Sequence, residues 1–161
     1  IALGRERMNP YKEAIAKRIN PDGETGDLAF ALKGADVFVG VSQPELVSQD
    51  MVRSMATGSI VFAMANPIPE IMPNLAREAG AAVVATGRSD FPNQVNNALA
   101  FPGIFKGALE GRIRRFTPEM FVAAAHAISK MVEEPTAEKI MPSPFAPGLA
   151  DVVANAVQRV A

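Results

Sequence analysis

Apolar residues along this chain follow two rhythms. In the middle, Ala35 to Ser42, Ser59 to Ala65 and Ala82 to Ala85 are short runs rich in Val, Ile, Phe and Ala, bounded by Gly, Pro, Asn and Asp. Runs of that length suit buried strands of a parallel sheet, with Ala35 to Ser42 composed like an interior strand. Helical spacing fills the gaps between them. Gln49 to Met55 follows the N-cap candidate Ser48 and stops before Gly58; about Met72 to Ala79 stops at Gly80. Strand and helix alternating over short connections predict right-handed crossovers and a parallel sheet. The two prolines of Asn66-Pro67-Ile68-Pro69-Glu70 end the second strand, because neither can continue a ladder.

The flanks are helical. Pro10 to Ile19 carries Asn9 as N-cap and Pro10 at the first helical position, and Asn20-Pro21-Asp22-Gly23 is a turn. A short helix over Asp27 to Lys33 ends at Gly34. After the third strand comes a polar turn, Thr86 to Asp90, and from Asn93 the pattern becomes helical. Pro102-Gly103 predicts a break or kink there, with a second apolar helix running to about Leu109. Thr117-Pro118-Glu119 opens a helix through Met131, with Phe121, Ala124, Ala125 and Ile128 as its apolar positions. Pro142 to Pro147 is extended, and Ala150 to Val160 forms a last helix.

Parallel strands place their carboxyl ends at one edge, where open α/β sheets bind ligands. Ser42, Asn66 and the Thr86 to Asp90 turn, with Asn93, Gln94, Asn96 and Asn97 behind it, therefore converge on one edge. Side-chain amides there serve either of two purposes. They cap a helix and satisfy its orphan N–H groups, or they orient an uncharged or carboxylate ligand group without titrating.

Composition narrows the chemistry. The 161 residues are enough for one domain, and the net charge of -1 disfavours nucleic acid or an anionic membrane as main partner. With no cysteine, disulfides, thiolate chemistry and cysteine-held zinc are excluded. No apolar run approaches a membrane span and no signal peptide is evident, so a cytoplasmic location is expected. His126 sits within a helix and Tyr11 on the first helix, neither placed as a general base. Gly40, Gly80, Gly87 and Gly103 are isolated and form no phosphate-binding fingerprint. Asp90 is the one acid near the edge and makes no metal site alone; Arg88 can pair with it or touch a phosphate, and a structural pair is the favoured reading.

Ala35 to Ser42, Val61 to Ile71 and above all Ala85-Thr86-Gly87-Arg88-Ser89-Asp90-Phe91-Pro92-Asn93-Gln94-Val95-Asn96-Asn97 through Phe105 resemble the NAD(P)-binding half of malic enzyme, in its short bacterial form. Pro142-Ser143-Pro144-Phe145 is similar to that form's C-terminal region. The resemblance implies an α/β fold: a Rossmann-like doubly wound parallel sheet, incomplete because its first strands are missing, with C-terminal helices. It implies that residues 1–161 are the C-terminal part of that domain, a fragment of a larger chain, which also fits an opening at Ile1 rather than Met. The implied reaction is oxidative decarboxylation of (S)-malate to pyruvate and CO₂ with reduction of NAD or NADP, dependent on Mg²⁺ or Mn²⁺. Carried over by motif, Val41, Ser42, Asn66, Asn96 and Asn97 would contact the dinucleotide, and Asn66 and Asn97 the substrate. The catalytic tyrosine and lysine, the metal carboxylates and the Gly-rich turn would belong to an N-terminal portion. The chain alone is then expected to be inactive, to expose an apolar sheet edge, and to associate with that portion in a homo-oligomer. The alternative is a stand-alone Rossmann-like binding or interaction module without catalysis.

Overall fold

In the computed structural model, which describes all residues from Ile1 to Ala161, three strands pair in parallel. They are β1 (Val37–Gly40), β2 (Ile60–Ala63) and β3 (Val83–Thr86), in the order β1-β2-β3. Gly40 is level with Ala63, and Ala63 with Thr86, so the three carboxyl ends finish together. The helices are α1 (Pro10–Ile19), α2 (Leu28–Leu32), α3 (Gln49–Arg53), α4 (Pro73–Glu78), α5 (Phe101–Glu110), α6 (Pro118–Ser129) and α7 (Leu149–Gln158). A 3₁₀ turn, Asn97–Leu99, precedes α5.

Local signals set the boundaries. Asn9 Oδ1 accepts from Lys12 N–H at 2.9 Å, Asp27 Oδ1 from Phe30 N–H at 2.8 Å, and Ser48 Oγ from Met51 N–H at 3.2 Å. Each caps its helix by satisfying an N–H that has no partner inside the first turn. Gly34 and Gly80 stop α2 and α4 in the left-handed region, at φ +73° and +103°, whereas α3 ends earlier than expected, at Ser54, and Gly58 (φ +80°) serves the separate turn into β2.

One face of the sheet and the helices α2, α3 and α4 enclose a first core around Phe38, Val61, Ala63 and Val84, with Leu32, Val52 and Ala76 facing them. A second core joins the 3₁₀ turn to α6 and α7 through Leu99, Met120, Ala124, Ile128, Val153 and Val157. Burying side chains in these two cores supplies the main driving force for the fold.

Three expectations change. Pro102 does not break α5 but starts it: at the first turn its missing N–H would have had no partner anyway, and Gly103 lies inside one continuous helix. In α6 the inward stripe is Met120, Ala124 and Ile128, while Phe121 is half exposed and Ala125 faces outward. The run composed like an interior strand forms edge β1, with Phe38 buried but Val37 and Val39 50% and 58% exposed. Apolar surface also lies open on α5, α6 and the loop between them. Phe101, Phe105, Phe116 and Phe121 form a chain of rings with centroids 5.7, 5.8 and 6.1 Å apart, and all four are partly exposed.

Helices α5 and α7 approach so closely that glycine is required at their crossing. A Cβ on Gly103 would lie 2.5 Å from Val153 Cβ, and one on Gly107 2.7 Å from the Ala154 carbonyl oxygen and 2.9 Å from Ala154 Cα. Helix propensity alone would favour alanine at such a site by about 1 kcal/mol. Overpacking against backbone outweighs it, so Gly107→Ala is expected to destabilise the chain by about 1–3 kcal/mol. Urea unfolding checks this; an unchanged or raised midpoint would contradict the close packing.

Candidate functional site

The level strand ends bring three loops to one edge. Val41 and Ser42 follow β1, Ala65 to Glu70 follow β2, and Gly87 to Asn97 follow β3. The third loop folds back on its own strand: Thr86 N–H donates to the Asn93 carbonyl at 3.4 Å and Val95 N–H to the Thr86 carbonyl at 2.8 Å. This returns the amide-rich segment to the edge where Ser42 and Asn66 stand.

The amides divide into two kinds. Asn93 is buried at φ +58°, a conformation Asn tolerates better than most residues. Its Nδ2 donates to the carbonyls of Val84 and Ala137 at 3.0 and 2.7 Å, and its Oδ1 accepts from Ile140 N–H at 2.9 Å. Asn93 is thus a peg between β3 and the 137–140 segment. Asn96 is the N-cap of the 3₁₀ turn, its Oδ1 accepting from Ala98 N–H at 2.9 Å and its Nδ2 donating to the Gly87 carbonyl at 3.4 Å. Asn66 and Asn97 differ from both: they are exposed, and their side chains have no hydrogen-bond partner within the chain. Val41, just after β1, is 77% exposed and adds an apolar surface at the same carboxyl edge.

Arg88 closes the edge. Its guanidinium meets Asp90 through two bonds of 2.9 and 2.7 Å, reaches the Pro67 carbonyl at 3.4 Å, and lies 5.4 Å above the Phe91 ring. That hydrogen bond and charge hold the Asp90 carboxyl below its usual range. The pair therefore ties the β3 loop to the β2 loop, as the sequence suggests for Arg88 and Asp90.

Sequence reasoning passed over Glu70. It has no exposed surface, yet no basic side chain pairs with it. Its Oε1 accepts from Ser42 N–H at 2.7 Å and Ser42 Oγ–H at 3.3 Å, and its Oε2 from Ala65 N–H at 3.0 Å. Burial pushes its carboxyl up, but the bonds from Ser42 N–H, Ala65 N–H, its own N–H and the Ser42 hydroxyl outweigh burial and leave it below the ordinary value. The signal available in the sequence was an acid closing a Pro-rich turn directly after a strand.

A family model for the malic enzyme NAD binding domain matches residues 5–161. This chain belongs to the malic enzyme family. It is 53% identical over 156 residues to the bifunctional malic/malolactic enzyme of Bacillus subtilis, covering 96% of this chain and 38% of that one. To the NADP-dependent malic enzyme of Halomonas elongata it is 50% identical over 142 residues, covering 88% and 33%. The crystal structure of an NAD-dependent malic enzyme from Thermotoga maritima superposes with a TM-score of 0.88 at 48% identity, over 94% of this chain and 40% of that one. The chain thus spans between a third and two fifths of these three relatives, and the fold is the Rossmann-like one of this family's NAD-binding domain.

The donor set at the edge fits the nicotinamide and ribose part of a dinucleotide, since free neutral amides and an apolar surface suit hydroxyls, a carboxamide and a flat ring. It does not fit a divalent metal. No three His, Asp or Glu side chains come together, Asp90 is paired with Arg88, and both Glu70 oxygens are occupied. The largest groove, about 440 Å³ between α6 and α7, shares no residue with the strand edge; its polar groups include exposed His126, Lys130 and Arg159. An apolar cavity of about 290 Å³ opens beside Asn96, lined by Leu99, Phe121, Ile128 and Met141. No helix is long and apolar enough to cross a membrane.

Glu70 makes the acid limb of stability predictable. Because its folded value lies below the ordinary 4.5, its contribution is fully present above that pH and is lost as pH falls through the lower folded value. Urea midpoints followed from about pH 7 down to about pH 3 should fall for the native chain. Glu70→Gln should start lower and descend less steeply over the acid range; parallel curves would contradict the assignment.

Proposed function

We propose that this chain forms part of an enzyme that oxidatively decarboxylates (S)-malate to pyruvate and CO₂ with reduction of NAD or NADP, supplying dinucleotide and substrate contacts from the carboxyl ends of β1 to β3. What carries the reading is the pair of exposed, unpartnered amides, Asn66 and Asn97, on one strand edge of a chain from the malic enzyme family. Relatives include an NAD-dependent and an NADP-dependent malic enzyme, and the reading covers both.

When bound, the dinucleotide supplies a hydride acceptor. This chain's residues bind and orient. Asn66 and Asn97 donate to and accept from the ribose, the nicotinamide side or malate without changing charge across the working pH range. Val41 lays an apolar surface beside the ring, and Ser42 holds the turn under it. Asn96 spends its oxygen on Ala98 N–H and so fixes the 3₁₀ turn that presents Asn97. Alignment of the hydroxyl-bearing carbon with the acceptor is the contribution these groups make to rate.

The same reading places the chain in the cytoplasm and gives it two partners, the remainder of the same enzyme and further copies in a homo-oligomer. The open row of β1 and the four-ring Phe array support contact with further polypeptide.

In the full-length enzyme, Asn97→Ala and Asn66→Ala are each expected to lower kcat/KM for malate by about a hundredfold, with the unfolding midpoint nearly unchanged because both side chains are exposed. Asn96→Ala should instead lose about 1 kcal/mol of stability, as removal of a cap does. Steady-state kinetics beside thermal unfolding check all three. Full activity in both Asn97→Ala and Asn66→Ala would overturn the reading.

A further inference from the structure

We propose that Glu70 is a positioning residue for the dinucleotide: its buried carboxylate fixes the backbone at Ser42 and at the Ala65-Asn66 step, and thereby sets the affinity of the strand edge for the cofactor. The proposal rests on the reading that Ser42 and Asn66 face the dinucleotide.

Three observations converge on it. The first is the double bridge. One oxygen takes Ser42 N–H at the end of β1, the other takes Ala65 N–H at the end of β2, so a single side chain spans two neighbouring loops. Its main chain does the same work, with Val47 N–H donating to the Glu70 carbonyl at 2.9 Å, and the preceding Pro69 carbonyl accepts from Glu45 N–H at 3.0 Å. The loop after β1 is thereby held at both the side chain and the backbone of one residue.

The second observation is the absence of a cation. A buried carboxylate without an ion-pair partner is expensive to hold unless its oxygens are hydrogen-bonded, and here backbone N–H groups take the place of a cation. What only a carboxylate supplies is two acceptor oxygens, with no donor, for N–H groups arriving from two directions. A glutamine would turn its NH₂ toward one of those N–H groups and release that loop.

The third is the space kept for it. A Cβ on Gly40 would lie 2.5 Å from Glu70 Cδ and 2.6 Å from Oε1, nearer than the 2.8 Å to the Phe38 ring. Gly40 is in β1, where glycine has no side chain to pack and weakens the strand. Its place there is explained by the carboxylate that lies against it.

The test uses the full-length enzyme. NADH and NADPH affinities are measured by fluorescence titration, malate kinetics are followed in parallel, and amide exchange is recorded across residues 41–43 and 65–66. In Glu70→Gln, the dinucleotide Kd should rise by about tenfold or more, exchange at Ser42 or Ala65 should accelerate without ligand, and the KM for malate should move by less than about threefold. If Glu70→Gln does not yield folded enzyme, Gly40→Ala carries the same expectation, because its methyl drives the carboxylate off both amides.

Dinucleotide affinity within about twofold of wild type in the folded variant would overturn the proposal while leaving the site in place. So would an equal loss in dinucleotide affinity and malate KM, which is what general loosening of the fold produces. If NADH and NADPH bind wild type yet leave exchange across both segments unchanged, the reading that these loops face the dinucleotide fails, and the role of Glu70 falls with it.

Discussion

Backbone N–H groups that leave the ends of parallel strands have no strand left to bond, and in this chain a buried carboxylate takes them. Glu70 receives Ser42 and Ala65, so the loops after β1 and β2 leave the sheet in fixed directions. Everything at the edge depends on that constraint. Asn66 directly follows Ala65, Val41 directly precedes Ser42, and Arg88 from the third loop reaches the Pro67 carbonyl between Asn66 and Glu70. Each bond is modest on its own, but a donor left without a partner in a buried place costs about 1–3 kcal/mol, so the set resists partial opening.

The third strand meets the same requirement differently. Its loop curls back so that Thr86 bonds residues 93 and 95, and Asn93 then stitches the loop to the 137–140 segment. Asn96 caps the turn that follows. The polarity of Asn93 and Asn96 is consumed internally, and only then do Asn66 and Asn97 stand free toward solvent. The main chain that carries these two amides is held, at Ala65 by Glu70 and at Ala98 by the Asn96 cap, while their side chains remain free.

Much of this was legible in the sequence because it rests on local chemistry. Asn9-Pro10, Asp27 and Ser48 announced their helices through caps, and the strands announced themselves as apolar runs between turn residues. Convergence of Ser42, Asn66 and the amide loop followed from parallel topology alone. Apart from Pro102, where the neighbouring turn decides, the errors lie where distant residues decide. Pro102 starts α5 because the 3₁₀ turn stops just before it, and Met120 rather than Phe121 faces the core because α7 lies on that side. Glu70 escaped notice for the same reason: its partners are 28 and 5 residues away, and a carboxylate beside prolines reads as a solvated turn until the sheet is assembled. The division of the amides was likewise invisible, since only the fold shows which of them already have partners.

The central claim is that the carboxyl edge of β1 to β3 holds the dinucleotide. A crystal structure of the full-length enzyme with NADH or NADPH bound tests it most directly. The account predicts the nicotinamide-ribose half lying across Val41 and Ser42, within hydrogen-bond distance of Asn66 or Asn97. A dinucleotide held elsewhere, for example in the α6–α7 groove beside Lys130 and Arg159, would contradict it.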